Sequence, residues 1–246
     1  MISATTISPL NRRIVDGGAP PFSFGNALQF DGVNDFVSFG GSNVLADPDS
    51  AWSFGGWFNL TNFDNNFPII ARLKSGVTNN PFAIFFSNNG SYSDLTFGSS
   101  STFVRRRVSI SSILGNYIHL VITYNGLGSN NDSNFTIYIN GVSTATSSSG
   151  ALASSPDTSR LSEAGLPYVG KQDEVAFWQQ ELTSGQVSNQ WNGGNGNLAD
   201  ADVTPLVWFR MNESGTATTA VNSGSGGATY DGTLTNFPTS GMWVAH

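Results

Sequence analysis

The chain has 246 residues, enough for one large domain, and its 18 Phe, 6 Trp and 6 Tyr can fill a wide core. Charged residues make up 11% of the sequence and the net charge is −7, so neither nucleic acid nor an anionic membrane is expected as a partner. There is no cysteine, which excludes disulfides, a cysteine nucleophile and thiolate metal sites.

Residues 1–25 show no hydrophobic period and contain Pro9, Pro20 and Pro21, which predicts an extended N-terminal arm. Two interpretations stay open: a leader without fixed structure, or an arm whose apolar side chains dock on a neighbouring subunit. The docking interpretation predicts a homo-oligomer or attachment to other proteins. The arm has no apolar run of signal-peptide length, so export through a signal peptide is not expected.

Short segments of alternating polarity begin at residue 27 and recur at close spacing, which predicts an all-β sandwich or barrel. The strongest strand signal is residues 117–124. Residues 135–139 run into Asn140 and Gly141, a preferred type I′ hairpin turn. The other predicted strands cover residues 27–31, 35–39, 52–58, 68–72, 82–86 and 95–97.

One short helix is predicted in the last third of the chain. Thr183 and Gln186 have the spacing of a capping box at its start. Val187 and Trp191 lie four residues apart on one face, and the glycine pair at 193–194 ends the helix.

The segment after this helix predicts a strand at residues 206–211 and two shorter apolar pieces. Two or three strands cannot easily form an independent core. We therefore expect residues 26–246 to form a single sandwich that residues 200–246 complete, with Trp208 buried.

Five segments resemble, in the same order, the conserved strands of laminin-G-like domains. They are ALQFDGVNDFVSFG (27–40), SFGGWFNL (53–60), GNYIHLVITYNG (115–126), FTIYINGV (135–142) and YVGKQDEVAFWQQELTSGQVSNQWNGG (168–194). The resemblance implies an all-β, concanavalin-A-like jelly-roll β-sandwich with one short helix. The chain departs from the family at Tyr117, where Trp is usual, and at Gln172, where an apolar residue is usual.

Residues 206–236 resemble a segment that in many relatives precedes the Phe-Asp-Gly strand, whereas here it comes last, which implies a permuted chain. The same segment is similar to proteins encoded by bacteriophages. The resemblance implies a non-catalytic virion protein, of the capsid decoration or fibre type, that displays its jelly roll on the virion surface and assembles through the arm. The alternative is a carbohydrate-binding module or lectin domain of an extracellular bacterial protein.

No catalytic site is expected. Glucanases that resemble this family carry alternating acids in an E-x-D-x-x-E strand, which sets the acids on one face. Here Asp173 and Glu174 are adjacent, so regular strand geometry predicts that they lie on opposite faces. His119 lies in a strongly apolar strand and is interpreted as a core histidine.

Calcium is the one cofactor that the resemblance suggests, as a structural ion. The candidate ligands on the matched segments are Asp31, Asp35 and Asp173, because carboxylate oxygens are what calcium prefers. Asp231, Asn34 and Asn222 could assist them. The alternative is that Asp31 and Asp35 cap turns by accepting backbone N–H bonds.

Residues 105–107 form a basic cluster, Arg-Arg-Arg. It either protects an edge strand from pairing with other chains or binds an acidic or sulfated partner. The residues that would bind a glycan cannot be assigned from the pattern, because the phase of each strand decides which aromatic rings are exposed.

Overall fold

The computed structural model describes residues 24–40, 45–47, 49–62, 68–73, 82–88, 93–99, 102–108, 113–127, 132–144, 147–148 and 158–246. The arm, apart from Phe24 and Gly25, lies outside the described residues. Within the described part of the chain, no helix is long and apolar enough to cross a membrane.

The first sheet has eight antiparallel strands. In chain order they are β1 (Asn26–Asp31), β3 (Trp52–Leu60), β8 (Tyr117–Tyr124), β9 (Phe135–Ile139), β10 (Val142–Thr144), β13 (Val169–Trp178), β14 (Val207–Phe209) and β17 (Trp243–Ala245). Their order across the sheet is β10-β9-β8-β3-β13-β1-β17, and β14 pairs with the far end of β13.

The second sheet has nine antiparallel strands. In chain order they are β2 (Phe36–Phe39), β4 (Ile69–Leu73), β5 (Phe82–Asn88), β6 (Ser93–Ser99), β7 (Thr102–Val108), β11 (Ser147–Ser148), β12 (Ser159–Leu161), β15 (Thr219–Ala220) and β16 (Gly232–Thr235). They lie in the order β11-β7-β6-β5-β4-β12-β2-β16-β15. The three arginines are on β7, whose only partner beyond β6 among the described residues is the two-residue strand β11.

The main core lies between the two sheets and is rich in aromatic rings. The largest side chains that are almost fully buried include Tyr124, Tyr168, Phe30, Phe54, Phe58, Phe86, Phe177 and Phe209. Fully burying an aromatic or large aliphatic side chain contributes about 1.5–3 kcal/mol, so this layer provides most of the driving force for folding. The prediction of an all-β sandwich with a short helix is confirmed.

The local turn and cap signals are present as predicted. Asn140 and Gly141 have φ angles of 51° and 74°, the left-handed pair that a type I′ turn needs between β9 and β10. The helix is α1 (Ser184–Trp191), and the Thr183 hydroxyl accepts the Gln186 N–H while the Gln186 side chain accepts the Thr183 N–H.

The residues after 200 contribute strands to both sheets. β14 lies beside β13, β17 beside β1, and β16 beside β2. Trp208 on β14 is 4% exposed. The permutation relative to laminin-G-like chains stays a prediction.

Gln172, the departure from the apolar pattern, ties the two sheets together. Its side chain is buried, and its amide donates to the Ile70 carbonyl at 3.1 Å. The pairing of β4 with β5 is irregular between Ile69 and Ala71, so Ile70 does not continue the ladder. The Ile70 carbonyl accepts hydrogen bonds from the Ser162 N–H and from the Gln172 amide. An apolar side chain at position 172 would remove the second bond, so glutamine is favoured there.

Candidate functional site

A β-bulge in β13 places two acids on the outer face of the first sheet, away from the main core. The register of β13 against β3 shifts between Asp173 and Ala176, and Glu174 has a φ of 50°. Both carboxyl groups bond to residues of the outer face, Asp173 to His246 and Glu174 to Trp208. The expectation that the two acids lie on opposite faces is wrong, because the bulge interrupts the alternation of the strand.

Asp173 is fully buried and forms a short hydrogen bond with His246. Its Oδ2 lies 2.6 Å from Nδ1 of His246, and its Oδ1 accepts the Glu174 N–H at 2.8 Å. Burial raises the pKa of Asp173 to about 8 and lowers the pKa of His246 to about 4. Burial thus disfavours the charged form of both side chains and favours a neutral hydrogen bond over an ion pair.

The His246 ring lies between two parallel aromatic rings. Its centroid is 3.8 Å from that of Phe24 and 3.7 Å from that of Tyr117, each at an interplanar angle of 11°. Two rings that close must occupy opposite faces of the imidazole. Trp57 meets Phe24 edge-on at 4.9 Å and stacks on Trp191 of α1 at 5.4 Å. Tyr117, the second departure from the family pattern, thus provides one wall of the stack.

Glu174 is 4% exposed and has two partners from the segment around β14. Its Oε2 accepts the indole N–H of Trp208 at 2.6 Å, and its Oε1 is 3.6 Å from Nε of Arg210. The Arg210 guanidinium lies over the Trp208 ring at 5.1 Å. Burial, followed by the charge of Asp173, raises the pKa of Glu174 to about 8.

A small pocket lies between this face and α1. Its walls include Trp57, His119, Glu174, Trp178 and Gln190. His119 is buried, as the sequence predicts, and burial lowers the pKa of His119 to about 3. Its Nδ1 has no hydrogen-bond partner among the described residues.

The three predicted calcium ligands do not come together. Asp31 accepts the Val33 N–H at 2.8 Å, and Asp35 accepts the Asp31 N–H at 2.9 Å, so both cap the turn between β1 and β2. Asp31 pairs with Val169, four residues before Asp173 on β13, a separation of about 13 Å along the strand.

The remaining candidate ligands are also engaged. Asp231 accepts the Asn222 N–H at 2.8 Å, Asn222 accepts the Trp208 N–H at 2.7 Å, and the Asn34 carbonyl accepts from Asn236. Among the described residues, no group of three or more His, Cys, Asp or Glu is arranged to hold a metal ion. One buried oxygen, Oδ1 of Asp35, has no partner in that part of the chain. Calcium binding at Asp31 and Asp35 stays a prediction, and Asp173 cannot join them in one site.

The acid pair is buried and its carboxyl groups already have partners. A glycosidase needs two carboxyl groups about 5–9.5 Å apart on either side of its substrate. Asp173 and Glu174 are 0% and 4% exposed, and their oxygens already bond to His246 and Trp208. The two acids thus pack chain segments together, and Glu174 also forms part of the wall of the small pocket.

The sequence did not point to Phe24 and His246 as members of this cluster. They are about as far apart in the chain as two described residues can be, and neither lies in a matched segment. The usable signals were the adjacent acids in β13 and the predicted burial of Trp208.

Comparison with solved structures finds the same fold in another protein. The structure is similar to a candidate carbohydrate-binding protein from Bacteroides ovatus, with a TM-score of 0.59 and 19% identity, covering 92% of this chain and 62% of that one. The chain thus spans less than two thirds of that protein, and at this identity the likeness shows the fold alone.

Two more distant likenesses support no inference. One is a native heptameric SAP-like pentraxin from Limulus polyphemus, with a TM-score of 0.47 and 15% identity, covering 76% of this chain and 92% of that one. The other is the NanB sialidase of Streptococcus pneumoniae, with a TM-score of 0.45 and 16% identity, covering 67% of this chain and 27% of that one.

No curated protein has a significantly similar sequence. A family model, Laminin_G_3, matches residues 31–188, which is more than half of the chain. The match begins at Asp31, the last residue of β1, runs through β13 and ends within α1. The order of the five matched segments and the observed sandwich agree with that match. The chain therefore belongs to this laminin-G-like family of the concanavalin A-like lectin/glucanase superfamily.

Proposed function

We propose that this chain is a non-catalytic carbohydrate-binding sandwich. The observation that supports the proposal is the burial of Asp173 and Glu174, which are 0% and 4% exposed. The superfamily of this fold includes both lectins and glucanases, and a glucanase would need carboxyl groups that its substrate can reach. The fold of the Bacteroides ovatus protein, which is described as a candidate carbohydrate-binding protein, supports the same conclusion. A low density of charge suits neutral sugars, which are recognised by amides and aromatic rings.

The surface that best fits a sugar lies at the end of α1. Trp191 is partly exposed, and one face of its ring is stacked on Trp57. The loop that follows carries Asn192 and Asn195, both exposed, and Asn197, which is partly exposed. These amides can donate and accept bonds to sugar hydroxyls beside an indole ring that is held in place.

A glycan array with the full chain, followed by calorimetry, tests the proposal. We expect binding to neutral glycans, loss of at least about tenfold in affinity in Trp191→Ala, and retention in Trp191→Phe, since each tenfold is about 1.4 kcal/mol. Thr233→Ala, an exposed position on the second sheet, is the matched control. Failure to bind any glycan contradicts the proposal, as does hydrolysis of a polysaccharide that Glu174→Gln abolishes.

The bacteriophage-like segment at residues 206–236 supports a second candidate, display of this sandwich on a virion surface. In that setting the arm at residues 1–25 attaches the chain to copies of itself or to other virion proteins, and the sandwich faces outward to bind host glycans. An extracellular bacterial lectin domain is the alternative location. Sedimentation of the chain with and without residues 1–25 tests assembly; an unchanged oligomeric state would exclude the arm as the attachment.

A further inference from the structure

Two buried nitrogen atoms from the wall of the small pocket have no hydrogen-bond partner among the described residues. They are Nδ1 of His119, on β8, and Nε2 of Gln190, on α1. Both side chains are 3% exposed. A buried polar atom without a partner is rare in native proteins, because it has lost its bond to bulk water and gained none in exchange. The two nitrogens therefore point to a ligand that can bond to both.

Three other polar side chains of the same wall already have partners. The Trp178 indole N–H donates to a backbone carbonyl at 2.9 Å. The Asn197 amide donates to a side chain of α1 at 3.3 Å and accepts from the next backbone N–H at 2.9 Å. Glu174 accepts the indole N–H of Trp208. The unmet hydrogen-bonding capacity is thus concentrated on the histidine and the glutamine.

Packing holds both side chains in place. The His119 ring lies against two indole rings, with centroids 5.1 Å from that of Trp57 and 6.3 Å from that of Trp191. Gln190 lies with Val187 on the buried face of α1, and the capping box fixes where that helix begins. Neither side chain can reach bulk water without disturbing this packing.

We propose that the pocket between α1 and the first sheet binds one ordered water molecule, which bridges the His119 ring to the Gln190 amide. The pocket has room for about one water-sized molecule and is partly open to solvent, so water can enter it and a sugar ring cannot. The amide nitrogen only donates, and water accepts from it. A nitrogen of a neutral imidazole either donates or accepts, and water matches both.

The bridging water joins α1 to the strand at the centre of the outer face. Trp191 follows Gln190 on the helix, so the bridge also supports the ring that we assign to sugar binding. The water site does not depend on that assignment, because the water is expected in the chain without any glycan.

A high-resolution crystal structure of the full chain, without glycan, tests the proposal. We expect density for one water oxygen about 2.7–3.2 Å from both His119 Nδ1 and Gln190 Nε2. In solution, NOEs from water to the carbon-bound protons of the His119 ring should have the sign of a long-lived bound water. Gln190→Met keeps the length of the side chain and removes its amide, so the density and the NOEs should be lost. Ser188→Ala, at an exposed position of the same helix, is the matched control and should retain both.

Three results would overturn the proposal. One is the absence of a water bonded to these two nitrogens in the unaltered chain. Another is density about 2.0–2.1 Å from Nδ1, which is the distance of a metal ion and not of a water. The third is a water that remains in Gln190→Met with unchanged NOEs, since the glutamine would then not hold it. The first two results need only the unaltered chain, so the test stands even if the variant does not fold.

Discussion

The carboxyl groups of Asp173 and Glu174 are adjacent along β13 and both buried. Each has a pKa raised to about 8, from ordinary values of 3.8 and 4.5, and burial is the largest cause. Between those values the folded chain binds more protons than the unfolded chain. The stabilisation is therefore complete below the ordinary pKa of each group and is lost as the pH rises through about 8.

Glu174→Gln should remove half of this dependence. Between about pH 6.5 and pH 8 the unfolding free energy of the unaltered chain should fall by up to about 1.4 kcal/mol per pH unit for each acid. The glutamine oxygen can still accept the Trp208 indole N–H, so the variant should be more stable than the parent at the alkaline end. Urea unfolding across this pH range measures the free energy of unfolding, with Glu181→Gln, at an exposed position, as the control. An unchanged slope would show that Glu174 is ionised when folded.

At the same scale, the candidate calcium ligands are tested by a chelator. If Asp31 and Asp35 hold an ion, chelation should lower the melting temperature and leave any glycan binding intact, because a ligand of the native state stabilises it by about 2.7 kcal/mol at a hundred times its dissociation constant. No change in melting temperature would leave the two residues as turn caps, the role that their hydrogen bonds to Val33 and Asp31 already give them.

At the scale of the elements, Gly170 permits the close approach of β13 and β3. Its φ is 139°, and a Cβ there would overlap the carbonyl oxygen of Asn59. Gly170→Ala should therefore cost about 3 kcal/mol or more, measured by chemical unfolding. Gly185→Ala, in the open first turn of α1, should instead stabilise by about 0.5–1 kcal/mol. Equal effects from the two substitutions would contradict this account.

The elements also show what a sequence pattern can reveal. The type I′ turn at Asn140 and the capping box at Thr183 were predictable because each depends on residues within four positions. The bulge at Glu174 was not, because a left-handed glutamate leaves no local signal and is stabilised by partners 34 or more residues away in the chain. His246 could not be predicted for the same reason, because it is far from Asp173 in the sequence and contacts it only when β17 pairs with β1.

At the scale of the whole molecule, we expect residues 200–246 to be needed for folding. They supply Val207, Phe209, Met211, Ala220, Met242 and Trp243 to the main core. A chain of residues 1–199 would expose the apolar surface that these side chains cover and would leave Glu174 without its bond to Trp208. We expect it to lose the cooperative thermal transition. A full transition at the parent's melting temperature would show that the tail is dispensable.

The position of β1 decides how the molecule responds to force. β1 is flanked on one side by β13 and on the other by β17, and the arm enters it at its first residue. Tension applied along the axis of β1 acts perpendicular to the hydrogen bonds of both ladders, so those bonds are sheared together and are not unzipped one at a time. A sandwich tethered through this strand is held by two ladders that both resist the pull.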